Sequence, residues 1–143
     1  MEEEVQFRHT FPVQLRFSDV DQLGHVNNSV YFSLYDLAKT TYFNDVMNRE
    51  NKWHEAKIVV ANIQASFLAP VFFRENIVIR TATVHLGNKS LTLMQQAVNA
   101  DTNEVKCTCQ TVMVGYDLES KSSQPISEEW KQAIKAFEQK EAI

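Results

Sequence analysis

Residues 29–47 carry a helical pattern with a narrow polar side. Ser33, Asp36, Thr40 and Asn44 recur at i, i+3, i+4 spacing, while Val30, Tyr31, Phe32, Leu34, Tyr35, Leu37, Ala38, Tyr42 and Phe43 fill the rest of the wheel. A helix this apolar needs protein around most of its circumference. Asn27 or Asn28 stands where an N-cap belongs. The rest of the chain must therefore supply a surface that curls around one long helix.

That surface reads as strands. Residues 11–17 alternate Phe11, Val13, Leu15 and Phe17 against polar neighbours, the period of a half-buried strand. In a second run, Val59, Ala61, Ile63, Ala65, Phe67 and Ala69 share one face and Asn62, Gln64 and Ser66 the other, until Pro70 ends the strand. Three alanines on that face suit the close approach of a helix. Residues 77–86 and 90–100 flank Gly87-Asn88, a tight-hairpin pair. Thr102-Asn103 makes a second turn before a last strand at 105–116, with Val105, Cys107, Cys109 and Met113 along one side. Residues 49–57 are a mixed polar connection, and the serine-rich stretch 118–125 is turn-like. Ser127 then caps a short amphipathic helix carrying Trp130, Ala133, Ile134 and Phe137. The order is strand, long helix, four strands and a terminal helix. This predicts an α+β fold in which a five-stranded antiparallel sheet wraps the central helix.

At 143 residues, 44% hydrophobic and 22% charged, the chain is sized for one domain spanning 1–143 and can bury a core without metal or disulfide support. Its formal charge of −4, with no Lys/Arg cluster longer than two residues, disfavours nucleic-acid and anionic-membrane partners. The N-terminus is acidic where a secretory signal is basic, and no run approaches the roughly 18 apolar residues of a membrane span, so a cytoplasmic setting is expected. Cys107 and Cys109, at i,i+2 on a strand, point to one face with poor disulfide geometry and read as buried free thiols. No cysteine or histidine pair has metal-ligand spacing, and no metal or separate cofactor is expected.

The chemistry concentrates between the first strand and the helix, in FSDVDQLGHVNNSVY at 17–31. Asp21 supplies a carboxylate, ionised near neutrality from a reference pKa of about 3.9. Gly24 supplies a backbone joint. The helix start supplies unpaired amides and about half a unit of positive charge. Together these suit attack on a carbonyl and stabilisation of the oxyanion it forms. His25 is placed to orient the carboxylate, to donate to the carbonyl, or to tie the loop to the backbone. Asn27 and Asn28 read as caps, the chemical interest at Asn28 being its amide. Asp19 reads as a turn-stabilising carboxylate. Tyr31 and Tyr35 share a helix face and either line a pocket or pack in the core. Ser90 follows a hairpin turn and has no histidine–acid partner nearby in sequence, so no serine nucleophile is indicated. His9, His54 and His85 read as ordinary surface or strand residues.

The motif F-S-D-x-D-x-x-G-H-V-N-N at 17–28, Tyr31 and the Gly87-Asn88-Lys89-Ser90 turn resemble the hotdog-fold acyl-CoA thioesterases of the 4-hydroxybenzoyl-CoA thioesterase type. The resemblance covers nearly the whole chain. It implies hydrolysis of an acyl- or aroyl-thioester to free acid and CoA, with Asp21 as nucleophile or general base and the Asn28 backbone N–H as oxyanion donor. It also implies a CoA or acyl carrier protein thioester as substrate, and association through sheet edges into a homodimer or homotetramer with the acyl pocket between subunits. Lys89 and Ser90 match the family's coenzyme contacts, whereas Gly87 and Asn88 stand where some members carry arginine. Arg74 or Lys57 could equally take the phosphate role. The alternatives are a hotdog hydratase or dehydratase, whose G-D-x-N-P-x-H stretch the chain lacks, and a non-catalytic acyl-CoA binding protein.

Overall fold

The computed structural model describes residues 4–50 and 57–143. Its elements are β1 (His9–Pro12), a 3-10 turn (Phe17–Asp19), α1 (Asn28–Met47), β2 (Ile58–Phe67), β3 (Ile77–Leu86), β4 (Ser90–Asn99), β5 (Val105–Asp117), β6 (Ser122–Ser123) and α2 (Glu128–Glu138). All strand pairs are antiparallel, in the order β1-β3-β4-β5-β2, with β6 beside the end of β5. The two-residue β6 adds a sixth strand where the sequence suggested only a turn. Among the described residues, no helix is long and apolar enough to cross a membrane.

The turns are closed locally. Gly87 N–H donates to Ser90 O at 2.8 Å, and Asn103 takes a left-handed φ of 62° beneath the second hairpin. Registration then stacks the inner-face side chains in rows across the sheet. One row runs Phe67, Cys107, Ala97, Ile79 and Phe11; the next runs Ala65, Cys109, Gln95, Thr81 and His9. α1 lies over them, with Tyr31, Tyr35 and Ala38 sharing a core with Ile77, Ile79, Ala97, Cys107 and Cys109. Both cysteines are free and buried. The buried Gln95 amide donates to Tyr35 O at 3.0 Å and to Thr81 Oγ1 at 3.1 Å.

A second core joins the C-terminal half of α1 to α2. Tyr42, Phe43 and Val46 meet Trp130, Ile134 and Ile126, with Leu91, Leu93 and Met113 below. Ser127 Oγ accepts the Trp130 N–H at 3.3 Å, as its capping position predicts.

Four expectations change. β1 starts earlier and ends at Pro12, after which Val13 N–H still donates to Ile77 O at 3.0 Å before the chain coils into the 3-10 turn. That turn breaks the period of two, so Phe17 is 84% exposed instead of facing inward. In β2 a bulge lies between Val60, opposite Met113, and Asn62, opposite Val112. Ala61 is the extra residue, so the inner face is Ile58, Val60, Ile63, Ala65 and Phe67, and Val59 falls outside. α1 is not enclosed by its own sheet, since Phe32 and Leu37 remain exposed. Lys39, which lies outside the predicted polar stripe, is buried and donates to the exposed Asp36 Oδ1 at 3.2 Å. His9 is buried, its Nε2 lying 2.7 Å from Asp45 Oδ2 and its ring edge-on to Tyr42. His54 lies outside the described residues.

Gly115 on β5 is fixed by space. A Cβ there would lie 2.2 Å from Gln124 O, a backbone atom of the segment that returns beside β5. Gly115→Ala is therefore expected to destabilise the protein by about 1–3 kcal/mol. Urea unfolding measures this, and an unchanged midpoint would refute the contact.

Candidate active site

The loop before α1 is built by carboxylates that accept backbone N–H groups. Asp19, 2% exposed, accepts Arg16 N–H at 2.8 Å and the Arg16 guanidinium at 3.0 Å. Its own carbonyl accepts Asn27 N–H at 2.8 Å. This is the turn-stabilising role expected of it. Burial pushes the Asp19 carboxyl up, but the hydrogen bonds and charge of Arg16 outweigh that and hold it below its ordinary value.

Residues 21–25 form a closed ring of contacts. Asp21 N–H donates to His25 O at 2.8 Å, and Gly24 N–H donates to Asp21 O at 3.0 Å. Asp21 Oδ1 accepts Leu23 N–H at 2.9 Å and His25 N–H at 3.2 Å. Oδ2 accepts no hydrogen bond among the described residues. Gly24 has φ +79°, which favours glycine, yet a Cβ there meets nothing within 4 Å. Its conformation, not a lack of space, is what calls for glycine here.

Asn27 is the N-cap of α1 but makes no side-chain cap bond, and Asn28 is the first helical residue. The expected side-chain capping by these amides is absent, and the loop is anchored instead by backbone bonds to Asp19 and Val71. The Asn28 backbone N–H has no acceptor among the described backbone and side-chain groups, leaving it available at the positive end of the helix.

A distant segment supplies the opposite wall. Val26 N–H donates to Val71 O at 2.7 Å, His25 forms an isolated antiparallel bridge with Phe72, and their rings meet edge-on at 5.0 Å. Tyr31 meets Phe67 at 5.3 Å. The result is an open cleft of about 300 Å³ lined by Asp21, His25, Asn28, Tyr31, Phe67 and Pro70, among others. Burial, with the nearby Cys107 and Glu75, pushes the Tyr31 phenol up to about 12, so it is a neutral O–H at pH 7. The His25 imidazole makes no hydrogen bond among the described residues and packs on Phe72, away from an orienting contact with Asp21.

The structure thus brings Asp21, His25, Asn28 and Tyr31 to one cleft. Gly24 shapes the loop behind it. Tyr35 lies deeper in the core, where burial and Cys107 push its phenol far above the ordinary value. Lys89 and Ser90 are elsewhere. Ser90 is opposite Val114 and Val114 opposite Val59, while the cleft lies at the Phe67–Cys107 end. Those ends are separated by seven residues of β5, roughly 23 Å. Arg74 is exposed on the loop that walls the cleft, and Lys57 lies at the remote end of β2. The wall residues Phe67, Leu68 and Ala69 were not singled out as site residues; the end of an apolar strand run at Pro70 was their only signal.

The sequence pattern of the thioesterase-like superfamily matches residues 15–134. YsmA of Bacillus subtilis (strain 168) is 32% identical over 123 residues, covering 85% of this chain and 82% of that protein. A thioesterase from Thermus thermophilus, crystallised with coenzyme A and Zn, superposes with a TM-score of 0.83 at 28% identity, covering 94% of this chain and 96% of that one. A 1,4-dihydroxy-2-naphthoyl-CoA thioesterase from Synechocystis, at 15% identity and a TM-score of 0.77 over 88% of this chain and 94% of that one, shares the fold alone.

Because its folded carboxyl is held below the ordinary 3.8, Asp19 contributes stability that is present above that value and lost as pH falls through the folded one. Asp19→Asn is expected to cost about 1–3 kcal/mol at pH 7. It should also flatten the acid limb of a thermal-unfolding series between pH 7 and 3. An acid limb as steep as the parent's would exclude Asp19 as its source.

Proposed function

The chain belongs to the thioesterase-like superfamily and is a thioester hydrolase, and from that premise we propose that it cleaves acyl- or aroyl-CoA to free acid and CoA at the Asp21 cleft. The observation that carries the reading is the meeting, in one cleft, of a carboxylate with an unoccupied oxygen and a helix-start amide with an unoccupied N–H. The thioester carbonyl oxygen points to Asn28 N–H, and Asp21 Oδ2 faces the carbonyl carbon. Asp21 either attacks that carbon, forming an anhydride that water opens, or takes a proton from the water that attacks it. In both routes the C–S bond breaks and the electron pair leaves on sulfur. A thiol pKa of about 8.5 makes this an adequate leaving group without a strong acid.

Support for coenzyme A as carrier comes from the Thermus thermophilus relative, crystallised with it. Acyl carrier protein offers the same pantetheine arm and is the alternative carrier. The packing of His25 on Phe72 weighs against an Asp21–His25 acid/base pair and hence against a hydratase.

The working unit in this reading is a homodimer, or a dimer of dimers. β2 is an edge strand whose inner-face residues Val60, Ile63 and Phe67 are 43%, 40% and 44% exposed beside a helix flank that is also uncovered. Antiparallel pairing of two β2 edges would cover both and bring Lys89 and Ser90 of the second copy toward the cleft.

Asp21→Asn is expected to lower thiol release from a panel of aryl and aliphatic acyl-CoAs by about 10²- to 10⁴-fold, with fold and ligand binding retained. Parent-like turnover in the pure variant, or hydration of an unsaturated acyl-CoA without thiol release, would overturn the assignment. Ile63→Lys is expected to shift the dimer toward monomer in sedimentation and to lower activity with it. A monomeric, fully active parent protein would sink the two-copy reading.

A further inference from the structure

β5 carries one extra residue against β4: Ala97 is opposite Cys107 and Val98 opposite Val105, which leaves Lys106 as the bulge. A bulge re-aims a side chain out of strand alternation. Here it turns a lysine toward the loop that walls the cleft and buries it to 7% exposure. Lys106 Nζ meets Glu75 Oε1 at 2.9 Å, also pairs with Glu104, and reaches Pro70 O at 3.4 Å. The Lys106 carbonyl accepts N–H groups from Leu68 and Ala69 at 2.9 and 3.1 Å.

Glu75 completes the node. Its Oε2 accepts Phe72 N–H at 2.7 Å and its Oε1 accepts Asn99 Nδ2 at 3.1 Å. The loop is thus folded around one carboxylate and clamped from below by one ammonium. Its outer side holds the Val71 carbonyl that receives Val26 N–H and the Phe72 backbone that bridges His25. Two residues beyond Val26 is Asn28. A buried ion pair is often no more stabilising than apolar residues of the same volume, so stability alone gives no reason to bury these charges here. Rigid placement of the loop does.

We propose that Glu75 and Lys106 are positioning residues for the Asn28 oxyanion amide, acting through the hydrogen bond from Val26 to Val71. This rests on the reading of that amide as oxyanion donor. Neither side chain lines the cleft. Their effect is to fix where the helix start meets the carbonyl, and a displacement on the order of 1 Å at such a point costs about a hundredfold in rate.

The test uses Glu75→Gln, Lys106→Met and Lys106→Arg in the full chain, with two readouts. In thiol-release kinetics, Glu75→Gln and Lys106→Met should lower kcat by about ten- to a hundredfold while KM stays within about threefold, a loss confined to the transition state. Lys106→Arg, which keeps the charge and donors, should recover most of it. In amide hydrogen exchange, Val26 should lose protection in the same two variants while the amides of β3 and β4 keep theirs. The isosteric Glu75→Gln carries the test if Lys106→Met does not fold. A folded Glu75→Gln protein with parent-like kcat, or with Val26 exchange unchanged, overturns the proposal. If the parent releases no thiol, the proposed function fails, and Val26 exchange alone decides whether this node places the helix start.

Discussion

The seat of α1 on a patch of small side chains governs the rest of the site. Tyr31 and Tyr35, one turn apart, lie over Ala97, Cys107 and Cys109, where larger residues would hold the helix away from the sheet. Fully burying a large side chain contributes roughly 1.5–3 kcal/mol, whereas a charge at a helix end contributes about 0.3–1 kcal/mol. Packing therefore decides where the helix begins. Its free amides arrive at the end of β2 as a consequence of that packing, and the electrostatic use of the helix end adds little to stability.

The loop in front of the helix is held by a different kind of force. It buries little beyond Val26 and Asp19, and its geometry comes from directed hydrogen bonds to Asp19, Asp21 and Val71. Asp21 divides its two oxygens: Oδ1 closes the loop on Leu23 and His25, leaving Oδ2 without a hydrogen bond among the described residues. Rotating Asp21 out of place would break its own loop. Such coupling keeps a solvent-exposed carboxylate in one orientation without burying it.

Much of this was legible in the chain. The long helix, the hairpin at Gly87-Asn88 and the strands on either side were carried by local periodicity and turn chemistry, and they fall within a residue or two of expectation. That Asp21 and Asn28 lie at one cleft was legible from the motif that joins them. The exceptions share a cause. Ala61 and Lys106 are bulge residues, defined by the count on a neighbouring strand, which no period within their own strand records. His9 is buried because Asp45 and Tyr42, more than thirty residues away, take up its polar edge and ring. Phe67 and Pro70 join the cleft only after β2 is registered against β5. Local pattern located the elements, and long-range pairing assigned their faces.

Some features of the fold are left unfinished. β2 leaves a row of backbone groups unpaired beyond β5, three of its inner apolar residues are about two-fifths exposed, and α1 leaves Phe32 and Leu37 exposed. The Lys89–Ser90 turn, which the resemblance implies contacts coenzyme, lies roughly 23 Å along β5 from the cleft end of its own sheet. A sheet of four long strands and the short β1 is too narrow to wrap a helix that is apolar nearly all round, and the edge strand is where it falls short. The proposed two-fold axis beside β2 would answer these together, because antiparallel pairing would set the remote end of one sheet against the cleft end of the other. The helix that first suggested a wrapping sheet would then obtain its cover from two chains, and in that proposal the narrow polar stripe is a demand on the assembly more than on the single fold.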